Sequence, residues 1–360
     1  MRRANSELGI VYLTRNMEAY RSAYYQQDII SHFKKKEKVL FYGPGFPSFN
    51  SSDSIDDVLE KAPFRVDCII TGHSWLLESG TPSAENLKLV QTDVPKFGIL
   101  NKEYLNLEKK LEYFSLNGFT KIFTHYQRLS DLTTTKSLAY EHIPFGVDEA
   151  KLRRKNTSVR NIDLMFTGVL QNLSNENIQS DLRVRIMRKL FLCIADLPVM
   201  KKSAFSDSNI FWKALPRQKP RDGKLRRYAL LKKIFPKYGY RHLNEGVYFD
   251  LLSQSKLVLC TESPLGLVSP RVFEAMASGA VVFCEDSQSF SVFPDDCVLK
   301  FDQDLSDFES KYFWALSDDV SLTEMAGKGR ALALKEYRWG VIVDKLMIAI
   351  EKSLRIEDKP

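Results

Sequence analysis

The sequence predicts an α/β protein built from two Rossmann-like domains, each with a parallel β-sheet. Apolar strand-like runs alternate with helical patterns in the first half of the chain, and a strand, a short helix and a second strand follow one another between Leu257 and Cys284. Chain breakers at Pro144 and Gly146 separate these regions. With 360 residues, of which 44% are hydrophobic, the chain has enough material for two cores.

The first half supplies the elements of one parallel sheet. The expected strands are GIVYL, VLFYGPGF, VDCIITG, KFGIL and KIFTHY, and the expected helices cover residues 20–33, 54–61 and 104–116. Alternation of this kind predicts helices on both faces of the sheet. Gly43 and Gly45 predict a tight turn after the second strand, but they do not match the glycine pattern of dinucleotide-binding proteins. A plain connection between strand and loop is therefore expected there.

The run HIPFGVDEAKLRR, from His142 to Arg154, marks the change of domain. We place the first domain at residues 1–145, and the second begins at residue 146. The expected elements of the second domain are the strand IDLMF, a turn at Thr167 and Gly168, helices at residues 182–195 and 246–255, and the strand, helix and strand between Leu257 and Cys284. This order predicts another α/β unit.

The short helix within LVLCTESPLGLVSPRVFEAMASGAVVFC has clear start and stop signals. Ser269 is a good N-cap, Pro270 fits the first helical position, and Gly279 ends the helix. Its first turn offers backbone N–H groups and the positive end of the helix dipole, and Arg271 adds a charge, so an anion is favoured there. Glu274 lies one turn further on the same face.

The two faces of this helix are expected to differ. Ala275 and Ser278 would continue the polar, open stripe of Arg271 and Glu274, whereas Val272, Phe273 and Met276 would enter the core. A cation above a carboxylate suits a nucleoside diphosphate, because the phosphates need donors and the ribose hydroxyls need an acceptor. The simpler alternative is an exposed ion pair between Arg271 and Glu274 in an ordinary α/β unit.

The segment SPRVFEAMASGAVVF resembles the donor-binding helix of GT-B fold glycosyltransferases, closest to their CgeB-like and exostosin-like branches and related to glycosyltransferase group 1. The run IPFGVD resembles the linker that leads into the C-terminal domain of such enzymes. In the commonest retaining family a second glutamate stands eight positions before the ribose glutamate. Gly266 occupies that position here, and Glu262 is the nearest carboxylate upstream.

This resemblance implies a GT-B-like architecture, with two Rossmann-like domains whose parallel sheets face an interdomain cleft. Residues 146–338 would bind a nucleotide-sugar through Glu274, and residues 339–360 would form a terminal helix that packs back across both domains. It also implies that no divalent ion is obligatory. No C-x-x-C or H-x-x-x-H spacing typical of zinc sites is present, so neither a metal nor another cofactor is expected.

Loops at the carboxyl ends of the strands supply the candidate site residues. Contacts with the nucleotide-sugar are expected from Glu274, Arg271, Ser269, Pro270, Val272, Glu262, Ser263, Thr167 and Gly168. Arg271 would stabilise the leaving diphosphate. If the anomeric centre is inverted, His73, His125 or Glu103 could act as the base. If it is retained, no protein base is needed, and a buried hydrogen-bonded histidine is the usual alternative.

The charge is uneven along the chain, with 52 basic and 45 acidic residues and a net charge of +7. The segment Arg217–Arg241 carries ten basic residues and the single acid Asp222. It could rest on anionic lipid or an acidic acceptor, although a solvated helix face is the usual reading. Aromatic residues within it permit base stacking, but a basic stripe alone is weak support for nucleic acid, which is not expected as a partner.

The sequence has no apolar run long enough to span a bilayer and no secretory leader pattern, so a cytoplasmic location is the default expectation, with a peripheral position at the membrane as the other option. Cys68, Cys260 and Cys284 fall in apolar strand-like runs, as free buried thiols do. The leading hypothesis is a glycosyltransferase of polysaccharide biosynthesis that uses a nucleotide-sugar and a glycan or lipid-linked acceptor. The alternatives are a nucleotide-sugar epimerase, a non-catalytic nucleotide- or glycan-binding protein, or a basic protein that docks on membrane or nucleic acid.

Overall fold

A computed structural model describes residues 8–18, 24–129, 138–152, 160–170, 182–194, 197–216, 243–263 and 266–357. The chain forms two compact units. Unit 1 contains Met1–Asp148, Pro264–Pro270 and Lys335–Pro360, and unit 2 contains Glu149–Ser263 and Arg271–Leu334. Both units are built on parallel sheets, so the predicted α/β class is confirmed. The basic segment Arg217–Arg241 lies outside the described residues.

Unit 1 contains a six-stranded parallel sheet in the order β2-β1-β3-β4-β5-β6. Its strands are β1 (Ile10–Leu13), β2 (Val39–Tyr42), β3 (Cys68–Thr71), β4 (Lys96–Ile99), β5 (Lys121–Thr124) and β6 (Ala139–His142). Its helices are α1 (Tyr24–Phe33), α2 (Ile55–Glu60) and α3 (Leu107–Leu116), and a late helix, which we call α9, covers Trp339–Glu357. The predicted strands of the first half are all present, with shorter bounds.

Two of these strands show how the sequence sets the sheet. The four residues of β1 and the four of β3 are all buried, as expected for central strands covered on both faces. A Cβ atom at Gly43 would lie 2.0 Å from the carbonyl oxygen of Thr14, so only glycine allows the chain to pass so close to the end of β1. The tight turn predicted there is present, and this close backbone contact requires glycine at position 43.

Helix α9 belongs to unit 1 although it comes last in the chain. Trp339 is fully buried at its start, and the backbone N–H of Trp339 donates to the carbonyl of Val147 at 3.1 Å. A Cβ atom at Gly146 would lie 2.4 Å from the indole of Trp339, so a larger residue at position 146 would displace that ring. The predicted terminal helix is thus present, anchored beside the IPFGV run.

Unit 2 contains a five-stranded parallel sheet in the order β10-β7-β11-β12-β13, and a two-stranded antiparallel pair, β8 and β9. The strands are β7 (Ile162–Leu170), β8 (Phe191–Ile194), β9 (Leu197–Lys201), β10 (Ile210–Pro216), β11 (Ser255–Cys260), β12 (Val281–Glu285) and β13 (Val298–Phe301). The helices are α4 (Leu182–Leu190), α5 (Glu245–Gln254), α6 (Pro270–Ala277), α7 (Phe308–Ser317) and α8 (Asp319–Glu336). Its core is rich in aromatic side chains, including Phe166, Trp212 and Phe283.

Two predictions in unit 2 are wrong in detail. Thr167 and Gly168 do not form a turn, because β7 continues through them and pairs with Lys213 and Ala214 of β10. The helix predicted at residues 182–195 ends at Leu190 because Phe191–Ile194 pairs with β9. In both cases a strand partner distant in sequence overrides the local pattern.

Candidate functional site

Helix α6 has the start and stop predicted from the sequence. It begins at Pro270, and Gly279, with φ of +76°, ends it in the left-handed conformation that favours glycine. The amide of Gly279 donates to the carbonyl of Met276, and that of Ala280 to the carbonyl of Ala275. The bounds of this helix are therefore set by local chemistry.

The predicted N-cap and one predicted stripe residue are corrected by the structure. The hydroxyl of Ser269 is buried and has no hydrogen-bond partner among the residues that the structure describes, so Ser269 precedes the helix without capping it through its side chain. Ala275 is fully buried, which removes it from the open face, and Val272 is fully buried as expected for a core residue. Val272 could contact a ligand only through its backbone.

Two arginines that sequence reasoning missed hold the end of α6. The guanidinium of Arg160 donates to the carbonyls of Ser278 at 2.9 Å and Ser255 at 2.7 Å, and Arg330 Nε donates to the carbonyl of Ala277 at 3.2 Å. Cations at a helix C-terminus satisfy its free carbonyls and interact favourably with the dipole. The helix is thereby fixed against the start of β11. Basic residues at 160 and 330 give no such signal in the sequence, because both are far from residue 278 along the chain.

Arg271 is held beside β7, an interior strand of the unit 2 sheet. Its Nε donates to Thr167 Oγ1 at 3.0 Å, and its guanidinium carbon lies 5.9 Å from the ring centroid of Phe166. The described residues engage only Nε, which leaves the two terminal nitrogens of the guanidinium to donate to a ligand. Arg271 is partly exposed. Two residues that the sequence analysis expects to contact the nucleotide-sugar, Thr167 and Arg271, are thus in contact with each other.

Glu274 is held by a tyrosine that the sequence did not indicate. Tyr248, on α5, donates its hydroxyl to Glu274 Oε2 at 2.6 Å. Burial raises the pKa of Glu274, opposed by this hydrogen bond and by Arg271, and burial beside Glu274 raises the pKa of Tyr248 well above its ordinary value. Tyr248 therefore stays protonated and donates. The other carboxylate oxygen, Oε1, is left to accept from a ligand.

A second polar cluster lies at the carboxyl ends of β11 and β12. Glu285 Oε1 accepts from the backbone N–H of Glu262 at 2.7 Å, and Ser287 donates its hydroxyl to the Glu262 carboxylate. Arg183, on α4, donates to Thr261 Oγ1 at 2.5 Å and to the carbonyl of Glu262 at 3.0 Å. Glu262 is thus tied to its own loop, and no contact joins it or Ser263 to Arg271 or Glu274 among the described residues.

Glu285 is the most perturbed acid of this cluster. Its side chain is 4% exposed, and burial raises its pKa to about 7. The buried thiol of Cys260, at the end of β11, is influenced by the charges of Arg271, Glu285, Glu274 and Arg183. The two polar clusters of unit 2 therefore occupy the same edge of the sheet, where ligands of open parallel sheets bind.

The predicted catalytic candidates of unit 1 lie together at the carboxyl edge of its own sheet. The rings of His73 and His125 are parallel, with centroids 4.9 Å apart and Nε2 atoms 2.6 Å apart. Glu103 Oε1 accepts from Thr124 Oγ1 at 2.8 Å and from the backbone N–H of His125 at 3.1 Å. Burial lowers the pKa of His73 to about 3, and burial together with His73 holds the pKa of His125 well below its ordinary value.

Both histidines are therefore neutral at physiological pH. This matters for their chemistry, because a buried neutral imidazole is a fixed hydrogen-bonding group and a weak base. Within the described ranges no group of three or more His, Cys, Asp or Glu side chains is arranged to hold a metal ion. No described helix is both long enough and apolar enough to cross a membrane.

Comparison with known proteins gives a family for the second half of the chain. Residues 214–348 match the family model described as glycosyl transferase-like. This match includes Tyr248, Arg271 and Glu274. No curated protein sequence matched the chain significantly.

Solved structures resemble nearly the whole chain. Sucrose-phosphate synthase from Thermosynechococcus elongatus aligns with a TM-score of 0.61 at 10% identity, covering 96% of this chain and 99% of that one. HepE from Anabaena, in complex with UDP and glucose, aligns with a TM-score of 0.56 at 12% identity, covering 96% and 100%. A glycosyltransferase from Rickettsia africae aligns with a TM-score of 0.59 at 10% identity, covering 99% and 100%.

The predicted resemblance is confirmed by these matches. The chain has the GT-B fold, and residues 214–348 match the model of the glycosyl transferase-like family. The sequence-based assignment to the glycosyltransferase class of enzymes is thus confirmed at the level of family and fold.

Proposed function

We propose that this protein transfers a sugar from a nucleoside diphosphate sugar to a hydroxyl group of a glycan or lipid-linked acceptor. The observation that carries the proposal is the polar face of α6. Arg271 and Glu274 are each fixed by a neighbour in unit 2, Thr167 and Tyr248, and each keeps further polar atoms for a ligand. A similar structure, HepE, is described in complex with UDP-glucose.

Glu274 fits the ribose of such a donor. A carboxylate only accepts hydrogen bonds, and the two ribose hydroxyls are donors. With Oε2 held by Tyr248, Oε1 has a fixed position from which to accept from a ribose hydroxyl. Prior placement of a binding group avoids part of the entropy loss on binding.

The first turn of α6 fits the diphosphate. The N–H groups of Arg271 and Val272 lie in the first turn of α6, where no carbonyl of the helix itself can accept from them, and Pro270 has no N–H to leave unsatisfied. The terminal nitrogens of Arg271 add charge-assisted donors, and the hydroxyl of Ser269 is a further donor without a partner in the described part of the chain. This set would stabilise the diphosphate as negative charge grows on it during transfer.

The proposal does not need a metal ion for this step, because Arg271 and the helix N-terminus supply the positive charge. In unit 2, Glu262 and Ser263 would shape the surrounding loop, and Gly168 would leave room beside Thr167. The catalytic candidates His73, His125 and Glu103 would serve the acceptor side. Contact with a membrane through Arg217–Arg241 remains part of the proposal for a lipid-linked acceptor.

Binding and turnover of Arg271 and Glu274 variants test the proposal. A thermal-shift panel of nucleoside diphosphates identifies the base, since a ligand at a hundred times its Kd stabilises by about 2.7 kcal/mol. Calorimetry with that nucleotide should then show binding to the parent protein and to Glu324→Gln, a matched control on the exposed face of α8. Arg271→Ala and Glu274→Gln should lose binding while unfolding within a few degrees of the parent.

Sugar transfer should fail in the same two variants and continue in Glu324→Gln. Nucleotide binding without release of a sugar to any acceptor would favour the non-catalytic alternative. Equal nucleotide affinity in all four proteins would show that α6 is not the donor site.

A further inference from the structure

A groove with a volume of about 360 Å³ lies between α9 and the edge of the unit 1 sheet formed by β5 and β6. Cavities of roughly 300–1,000 Å³ are typical of small-molecule sites, so this groove is large enough for a small ligand. Its lining residues belong to unit 1, whereas Arg271 and Glu274 of the proposed donor site belong to unit 2. Nucleotide binding at α6 therefore gives the groove no role.

Helix α9 forms one wall of the groove with two rows of side chains. Ile342 and Ala349 are buried and form an apolar row, and Lys345 and Lys352 are exposed and form a cationic row. The members of each row are seven positions apart, which is about two helical turns, so each row follows the helix axis. Ile348 borders the apolar row and is 52% exposed. The groove thus has apolar surface that a ligand can cover.

One end of the groove is apolar. The backbone N–H of Trp339, at the start of α9, donates to the carbonyl of Val147, which follows Pro144 by three positions. Helix α9 therefore begins beside the Pro144 end of the groove and runs back along β6 in the opposite direction. Ile342, in the first turn of α9, lines this end together with Ile143 and Pro144.

The other end of the groove carries charged groups. Lys121, at the start of β5, donates to the Glu141 carboxylate at 2.8 Å, and both side chains line the groove. Lys352 follows Ile342 by ten positions, so it lies about 15 Å further along α9, towards this end. In the part of the chain that the structure describes, no acid is paired with Lys352. The groove therefore has one apolar and one cationic end.

The net charge of the groove is positive. Among its described lining residues, three lysines face a single carboxylate, that of Glu141. Burial lowers the pKa of His142, so this imidazole adds no charge at neutral pH. Lys345 is paired with Glu336 at 2.9 Å, which leaves Lys352 as the lysine most available to an anion. An acidic group is therefore favoured over a basic one at the charged end.

We propose that this groove binds a single-chain anionic amphiphile, such as a fatty acid. Its acidic head group lies between Lys121 and Lys352, where the ammonium groups supply charge-assisted hydrogen bonds. Its apolar chain lies along Ile348, Ala349 and Ile342, where covering the exposed isoleucine removes apolar surface from water. Binding of this ligand does not depend on the proposed sugar transfer.

A free fatty acid and a lipid within a bilayer share this chemistry. The groove has protein on both sides, formed by α9 and by β5 and β6, so it takes one chain at a time. We therefore assign the free molecule as the ligand, and a bilayer surface is an alternative that experiment can separate.

Calorimetry of the full chain with dodecanoate, kept below the concentration at which it forms micelles, tests the site. Dodecanoate should bind. Dodecyltrimethylammonium has the same chain with the opposite charge, and acetate has the head group without the chain, so neither should bind. Failure of dodecanoate to bind, or equal binding of the cationic amphiphile or of acetate, would overturn the inference.

Vesicles of phosphatidylcholine with added phosphatidylglycerol separate the two sources of the ligand. Free dodecanoate should bind the protein in the absence of vesicles. Binding to the anionic vesicles without binding of free dodecanoate would assign the contact to a membrane surface and would overturn the groove as the site.

Three charge variants locate the head group. Lys352→Gln should weaken dodecanoate binding about tenfold, because it removes a cation from the head group. Glu141→Gln should strengthen binding, because it removes the negative charge of the groove and releases Lys121 for the ligand. Lys109→Gln is the matched control, an exposed lysine on α3 that does not line the groove, and should leave the affinity unchanged. An equal loss in Lys109→Gln would reveal a general effect of protein charge and would overturn the site.

Ile348→Ser tests the position of the apolar chain. Because Ile348 is half exposed, the variant should melt close to the parent while its dodecanoate affinity falls about fivefold. Val320→Ser, at a residue on α8 that is 72% exposed, is the matched control and should bind as the parent does. Unchanged affinity in both Ile348→Ser and Lys352→Gln would place bound dodecanoate elsewhere on the protein and would overturn the inference.

Discussion

The hydroxyl of Tyr248 lies 2.6 Å from the Glu274 carboxylate, so a residue on α5 orients the acid on α6 that is proposed to bind ribose. Both residues are partly buried, and burial raises the pKa of each. The tyrosine stays a donor and the carboxylate keeps one oxygen for the ligand. The relationship links the packing of two helices to the affinity of the site.

Tyr248→Phe removes this hydrogen bond and little volume. A hydrogen bond to a charged group contributes about 1.5–3 kcal/mol, so nucleotide affinity should fall by about tenfold or more. Calorimetry with the nucleoside diphosphate that stabilises the parent checks this. Tyr113→Phe, which removes a hydroxyl bonded to Trp75 in unit 1, is the matched control and should leave the affinity unchanged. An unchanged nucleotide affinity in Tyr248→Phe would show that ligand binding by Glu274 does not depend on the hydrogen bond from Tyr248.

Thr167→Val should weaken binding of the diphosphate more than binding of the nucleoside. The hydroxyl of Thr167 accepts from Arg271 Nε at 3.0 Å, and valine keeps the shape without the acceptor. The guanidinium then loses its orientation, and a fixed cation matters only for a ligand that carries phosphate. Comparing the nucleoside with its diphosphate isolates this effect. Equal losses for the two ligands would mean that Thr167 acts through general packing.

The raised pKa of Glu285 predicts that the stability of the folded protein depends on pH. Burial raises the pKa of its carboxyl from 4.5 to about 7 in the folded protein, so the folded state holds this proton more tightly than the unfolded chain. Stability from this group is present below pH 4.5 and is lost as the pH rises towards 7. The loss is about 3 kcal/mol.

Glu285→Gln should therefore raise the melting temperature at pH 8 and change it little at pH 4. The amide can keep its carbonyl oxygen on the backbone N–H of Glu262. Melting curves across this pH range check the effect, with Asp286→Asn, an exposed neighbour, as the control that should show no such trend. A destabilised Glu285→Gln at pH 8 would mean that the carboxylate is ionised and needed there.

Transfer activity should survive chelation. If Arg271 and the start of α6 supply the positive charge for the leaving diphosphate, EDTA should leave the rate of sugar transfer unchanged while Arg271→Ala abolishes it. The measurement is product formation with and without EDTA, followed by addition of Mg²⁺. Loss of activity in EDTA and recovery with Mg²⁺ would assign the charge to a metal ion.

The residues at the two ends of α6 were sufficient to predict where this helix begins and ends. Pro270 and Gly279 act on their own turns, so the bounds and the polar face of Arg271 and Glu274 could be predicted without tertiary information. Alternation of strands and helices was likewise sufficient for the parallel sheets. Ala275 was misplaced because helical periodicity alone does not show how wide the buried face is.

Contacts between distant residues could not be predicted. The partner of Glu274 is 26 positions away, and the two histidines that touch are 52 positions apart. The edge strand β6 was missed because AYEH has no strand pattern of its own and is defined by its pairing with β5. For the same reason Thr167 and Gly168 were taken for a turn, since β10 had not been recognised as a partner.

A crystal structure with the nucleoside diphosphate that stabilises the protein tests the central claim most directly. The account predicts a ribose hydroxyl at about 3 Å from the Glu274 carboxylate, with the diphosphate at the first turn of α6 and on the guanidinium of Arg271. A nucleotide bound at any other place, with Arg271 and Glu274 free of it, would contradict the account.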